Sequence, residues 1–144
     1  MATEAWTGTY EELPLGAEES SSRLIDGAAI DAFANAIESF NPIHMDGDWA
    51  RANTPFPDRI AHGVLTTALM SRPLVQFCER FKIRTALLST SSKYIRPVVA
   101  GDTITTVVRL VEKIDSRKRI RFEIEAKNQN GELVMVGEML EQAL

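Results

Sequence analysis

Residues 61–81 read Ala-His-Gly-Val-Leu-Thr-Thr-Ala-Leu-Met-Ser-Arg-Pro-Leu-Val-Gln-Phe-Cys-Glu-Arg-Phe. Within them Ala61, Val64, Leu65, Ala68, Leu69, Val75, Phe77, Cys78 and Phe81 recur at helical spacing, on a face too broad for a surface helix. Such a helix needs covering on most of its sides. Pro73 predicts a break or kink near residues 71–72, because proline removes a backbone donor and crowds the preceding turn. Downstream of Phe81 the period changes. Residues 103–114 are rich in threonine and valine. Residues 118–127 alternate, with Ile120, Phe122, Ile124 and Ala126 on one face and Arg119, Arg121, Glu123, Glu125 and Lys127 on the other. Asn130-Gly131 marks a hairpin turn into residues 132–142. With a further strand over residues 86–94, this predicts an antiparallel sheet of four or five strands. The economical architecture is an α+β fold, a curved sheet wrapped around the apolar helix.

Upstream, residues 1–25 are polar and irregular, with candidate strands at residues 13–15 and 21–25. Asp26 is placed to cap a helix, since Ala28, Ile30, Ala32, Phe33, Ala36 and Ile37 follow at helical spacing. That helix should end before Asn41-Pro42, because the residue preceding a proline is pushed out of the α region. Residues 45–60 carry Gly47, Pro55 and Pro57, and are expected as loop with a helical turn around residues 48–52.

The chain of 144 residues suits one domain spanning residues 1–144, and it is long enough to bury a core without disulfides or a structural metal. Hydrophobic residues at 44% and charged residues at 25% place it among globular rather than disordered chains. The single cysteine, Cys78, cannot form an internal bridge, which suits a reducing, cytoplasmic setting. A net charge of −4 argues against a nucleic-acid partner. No apolar run approaches the roughly 18–20 residues of a membrane helix, and Met1 to Trp6 lack the basic and apolar sections of a signal peptide.

The chemistry has few candidates. The two histidines are His44, in Asn41-Pro42-Ile43-His44-Met45-Asp46, and His62, in Ile60-Ala61-His62-Gly63-Val64-Leu65. His44 follows a helix end, and His62 opens the apolar helix. A helix start offers free backbone N–H groups, which favour a developing negative oxygen, and Gly63 allows close approach to them. A loop histidine, an open helix start and an apolar cavity together make an acid–base site. The alternative is a turn histidine and a helix-start histidine bonded to backbone. Two histidines in these surroundings do not form a metal-ligand set, so no metal or other cofactor is expected.

These two blocks, preceded by Ala32-Phe33-Ala34 and followed by Tyr94-Ile95-Arg96-Pro97-Val98-Val99-Ala100-Gly101-Asp102-Thr103, resemble the MaoC-like, (R)-specific enoyl-CoA hydratases of the hot-dog fold. The resemblance covers about residues 26–110. It implies a long helix wrapped by a five- or six-stranded antiparallel sheet. It also implies a hydratase or dehydratase acting on an acyl thioester of coenzyme A or an acyl-carrier protein. In that family an aspartate two residues before the Asn-Pro pair works with the histidine after it, and the amide at the position of Gly63 polarises the thioester carbonyl. The histidine is present as His44, whereas the aspartate position holds Ser39. A serine hydroxyl can hold water but is no base near neutral pH.

Three routes follow: His44 works alone, a nearby carboxylate substitutes, or the chemistry differs. Glu38 is expected to face solvent, and Asp46 to orient the loop or His44. Asn41 braces the turn carrying His44. Ser71 falls at a family serine that contacts the catalytic pair, or else caps a second helical segment. Lys93 and Arg96 are candidates for phosphate contacts of the carrier. A dimer building the pocket between two chains is expected, because hot-dog sheets leave an open edge. The alternatives are a non-catalytic subunit that binds an acyl chain or completes a heterodimer, and a repurposed pocket with other chemistry. A thioesterase is disfavoured, because the helix start supplies no carboxylate.

Overall fold

In the computed structural model, residues 5–144 are described; the first four residues of the Met1–Trp6 start lie outside the described residues. The chain enters through a 3₁₀ turn at Tyr10–Glu12, where the Thr9 amide donates to the Glu12 carboxylate at 3.3 Å. No strand forms at residues 13–15. Leu13 is buried as an anchor, but Pro14 has no N–H to give a sheet, and the chain turns at once.

The first strand, β1, is Glu18–Ile25, and the helix α1, Gly27–Ile37, follows it. Asp26 caps α1 by accepting from the Ala29 amide at 2.9 Å. The short helix α2, Pro42–Met45, forms ahead of the segment expected as loop, and the helical turn expected around residues 48–52 is α3, Gly47–Asn53. Side-chain caps start both. Asn41 accepts from the Ile43 amide at 3.2 Å, with Pro42 in the first helical turn, and Asp46 accepts from the Trp49 amide at 3.0 Å.

The apolar helix is split into α4, Gly63–Ala68, and α5, Ser71–Phe81. The break falls at Leu69-Met70, slightly earlier than Pro73 predicts. Pro73 instead sits in the first turn of α5, where its missing N–H leaves no intrahelical bond unmade. Met70 is the N-cap residue, without a side-chain capping bond, and Ser71 is the first residue of α5 rather than its cap.

Strands β2 (Thr85–Tyr94), β3 (Asp102–Ile114), β4 (Arg119–Lys127) and β5 (Leu133–Ala143) complete one antiparallel sheet in the order β1-β3-β4-β5-β2. The β4–β5 turn contains Asn130-Gly131 as expected. Gly131 takes a φ of +74°, and the Asn128 side chain accepts from the Asn130 and Glu132 amides. The inward face of β4 is Ile120, Phe122, Ile124 and Ala126, all buried. Phe122 meets the fully buried Phe77 of α5 edge to face at 5.0 Å between ring centroids. Each such side chain contributes roughly 1.5–3 kcal/mol by burial. The result is the α+β hot-dog arrangement.

The apolar face of the helix is not consumed within one chain. Val64 remains 57% exposed and Val75 37%. The two edges also differ. β1 is guarded by an Arg80–Glu19 ion pair and by Gln76 donating to the Ser20 carbonyl. β2 is exposed almost throughout, with Leu87, Leu88 and Tyr94 each about half open.

Candidate active site

His44 lies on α2, and its Nδ1 is 2.7 Å from the Ile60 carbonyl. A carbonyl only accepts, so Nδ1 carries the proton and Nε2 is the basic nitrogen. Burial pulls the His44 imidazole below its ordinary value. The Ile60 bond opposes that shift, and nearby His62 adds to it. His44 is therefore neutral at pH 7.

His62 precedes α4 and is buried. Its Nε2 donates to the Ser39 carbonyl at 3.0 Å, which leaves Nδ1 as a buried lone pair without a partner. The two imidazoles stack at 3.9 Å between ring centroids, and Phe33 meets His62 edge-on at 5.3 Å. Ser39, His44, His62 and Gly63 are thus brought together, although they come from a helix end, a loop helix and a second helix start.

A neighbour that sequence reasoning missed ties this loop down. Arg59 is largely buried, pairs with Asp31 of α1 at 2.8 Å, and donates to the Gly27 and Met45 carbonyls at 2.8 and 3.4 Å. It holds the segment carrying Ile60 against α1. No local pattern marks it, because its partners are remote in sequence.

Gly63 begins α4, and a Cβ there would meet the Tyr94 ring at 3.2–3.4 Å. The Tyr94 hydroxyl lies 2.6 Å from Thr67 Oγ1, which in turn donates to Ser92 Oγ at 2.9 Å. With one proton on the threonine hydroxyl, Tyr94 is the donor of the first bond. Tyr94 and Thr67 therefore wall the approach to the Gly63 backbone, and neither was singled out from sequence.

The other candidates lie elsewhere. Asn41 braces the His44 turn as expected. Asp46 engages the Trp49 amide, and Glu38 is exposed in a left-handed helix end. Ser71 is exposed at the start of α5, eight positions beyond Gly63. Strand alternation puts Lys93 on the sheet face opposite Ser92 and Tyr94, and Arg96 is paired with Glu132 at 3.5 Å. Neither cation joins the histidine pair within one chain. Among the described residues no cluster of three or more His, Cys, Asp or Glu could hold a metal.

A five-stranded hot-dog sheet with a histidine loop set against the start of its helix defines the class. The family model described as "MaoC like domain" matches residues 15–131, and the chain belongs to that family. It is 33% identical to a 3-hydroxybutyryl-CoA dehydratase of Methylorubrum extorquens over 91% of this chain and 81% of that protein. It is 30% identical to an (R)-specific enoyl-CoA hydratase of Aeromonas caviae over 89% and 93%. An unliganded R-hydratase structure from Pseudomonas aeruginosa superposes with a TM-score of 0.81 at 31% identity, covering 93% of this chain and 84% of that one. These relatives are named as a dehydratase and hydratases, which supports a hydro-lyase type.

Proposed function

We infer that the chain hydrates a 2-enoyl thioester, or dehydrates a 3-hydroxyacyl thioester, carried on coenzyme A or an acyl-carrier protein. His44 Nε2 is the general base and then acid, the Gly63 amide polarises the thioester carbonyl, and Ser39 holds the water or substrate hydroxyl. Asn41, Asp46 and His62 position these groups, while Ser71, Lys93 and Arg96 belong to the outer binding surface. One observation carries the reading: the Ile60 carbonyl fixes the His44 tautomer, and burial keeps the ring neutral, so a basic nitrogen is ready at pH 7. The names of the relatives support the same substrate class.

Two chains pair through the open β2 edge and the exposed apolar side of the helix, which completes the pocket. A protein with one free, buried thiol fits a cytoplasmic setting. Incubation with crotonyl-CoA, read by loss of absorbance from the conjugated thioester, tests the activity. No turnover by folded protein would overturn the reading, and scattering that gives the mass of one chain at micromolar concentration would overturn the pairing.

Ser39 favours a second reading, a non-catalytic subunit whose active partner supplies the missing carboxylate. Activity that appears only on mixing with a second hot-dog chain would establish it.

A further inference from the structure

The Gly63 amide is offered by a helix that has little of its own to hold it still. α4 is six residues long, and its N-cap residue, His62, turns its imidazole to the Ser39 carbonyl and makes no capping bond. A short, uncapped helix is marginal on its own. Two contacts from β2 take the place of the cap. The Tyr94 ring lies so close to the Gly63 backbone that a Cβ there would meet Cζ at 3.2 Å and Cε2 at 3.3 Å. One turn further along, the Tyr94 hydroxyl bonds Thr67 Oγ1 at 2.6 Å, and Thr67 donates in turn to Ser92 Oγ at 2.9 Å. A single side chain thus spans the first turn of α4, from residue 63 to residue 67, and fastens it to the sheet. In a helix the Cα–Cβ bond leans towards the N-terminus, the end to which the first amides point. A ring packed on the Cβ position of Gly63 therefore also flanks the approach to its N–H.

We propose that Tyr94 is a positioning residue for the reaction: its hydroxyl, locked to Thr67, fixes the Gly63 amide in the place where it polarises the thioester carbonyl. The inference rests on the thioester reading above, and it gives Tyr94 no bond of its own to the substrate. The one hydroxyl proton of Tyr94 goes to Thr67, and that of Thr67 goes to Ser92, so neither is left to donate to the carbonyl oxygen. That oxygen gains negative charge as water adds to the conjugated double bond. An amide held in place therefore serves the transition state more than the bound substrate. Loosening the lock should lower kcat and leave KM nearly unchanged.

The test combines turnover of crotonyl-CoA with the infrared carbonyl stretch of bound butyryl-CoA carrying ¹³C at the carbonyl, a saturated thioester that cannot be hydrated. In the unaltered protein the stretch is expected to move to lower frequency on binding. Tyr94→Phe keeps the ring and removes the hydrogen bond. It should lose most of that movement and lower kcat by ~10-fold, with KM within about 2-fold of the unaltered value. Thr67→Val should do the same, and the double variant should be no worse than either single one, because both changes break one bond. A stretch that moves as far in Tyr94→Phe as in the unaltered protein overturns the proposal whatever the rate does. So do losses that multiply in the double variant, or a loss that takes the form of a raised KM. Those failures leave the thioester reading standing. Where crotonyl-CoA goes unturned but the stretch moves, the stretch alone decides the role of Tyr94. An unaltered protein that neither hydrates crotonyl-CoA nor moves the stretch overturns the reading and the proposal together.

Discussion

At the start of α4 the polar atoms are held by short stretches of chain that each cap or brace themselves. Asn41 caps α2, Asp46 caps α3, and both imidazoles donate to backbone carbonyls, His44 to Ile60 and His62 to Ser39. Alongside α5 the buried polar group arrives from the last strand, and half of it is left without a partner. Each region keeps one buried atom without a partner, His62 Nδ1 in the first and Glu141 Oε1 in the second, but only the first also presents a basic nitrogen, on His44.

The largest expected effect tests whether the first region is chemical at all. His44→Ala should lower turnover of crotonyl-CoA by roughly 10²-fold or more, with Tm falling by less than about 4 °C. The pH profile of the unaltered protein sharpens the point. Because burial lowers the His44 pKa from 6.5, the acid limb of kcat/KM should lie below pH 6.5 and rise to a plateau above it. A limb centred above pH 7, or turnover that survives His44→Ala, would remove His44 from the mechanism.

Next comes the tether that makes the first region rigid. Arg59→Met leaves Asp31 and the Gly27 and Met45 carbonyls without their donor, and should cost about 2 kcal/mol, read as a Tm drop of roughly 4–8 °C. Turnover should fall with it, because Ile60 is the residue after Arg59 and its carbonyl orients His44. Arg59→Lys should recover only part of this, since an ammonium cannot reproduce the planar fork. An Arg59→Met protein with unchanged Tm and activity would show that the local caps suffice.

How much of this was legible in the sequence follows the same division. The alternation in β4, the Asp26 cap and the Asn130-Gly131 turn are short-range patterns, and each predicted its element. The gathering of His44, His62 and Gly63 was expected from the family resemblance, with His44 placed on a loop beyond a helix end rather than on the short helix α2 that carries it. The strand expected at residues 13–15 failed because three apolar or proline residues do not distinguish an anchor from a strand. Arg59, Tyr94 and Glu141 escaped notice because their partners are distant: Asp31 for Arg59, Thr67 for Tyr94, Thr85 for Glu141. Glu141 left one signal unread. In the period-2 pattern of β5 it falls on the inward side, where a carboxylate does not belong.

A smaller change probes the vacancy at Ser39. Ser39→Asp should raise hydration of crotonyl-CoA by ~10-fold, because a carboxylate there can share a water with His44. The new negative charge also favours the imidazolium, so the acid limb should move to higher pH. A rise with that shift would mark the site as a hydratase lacking its second acid–base group. A fall would mean that serine holds a substrate hydroxyl in different chemistry, and silence in a folded dimer would favour the non-catalytic subunit.

The smallest expected effect belongs to the second region and is read in stability rather than rate. The Glu141 pKa is raised on folding, with burial as the main cause and the Thr85 bond opposing it. Between the ordinary carboxyl value of 4.5 and the raised one, the folded chain binds more protons than the unfolded chain, so stability falls as pH rises through that window. The penalty is absent below pH 4.5 and fully present above the raised value. Cys78 on α5 and Arg84 before β2 line one cavity with Glu141; a buried thiol raised by its own burial adds no charge at pH 7. Glu141→Gln keeps the shape and removes the titration. It should raise Tm at pH 7 by about 2–4 °C, equivalent to ~1 kcal/mol in a chain of this size, with the gain vanishing as pH falls towards 4.5. A loss of stability at pH 7 would show instead that the ionised carboxylate is held by a favourable contact.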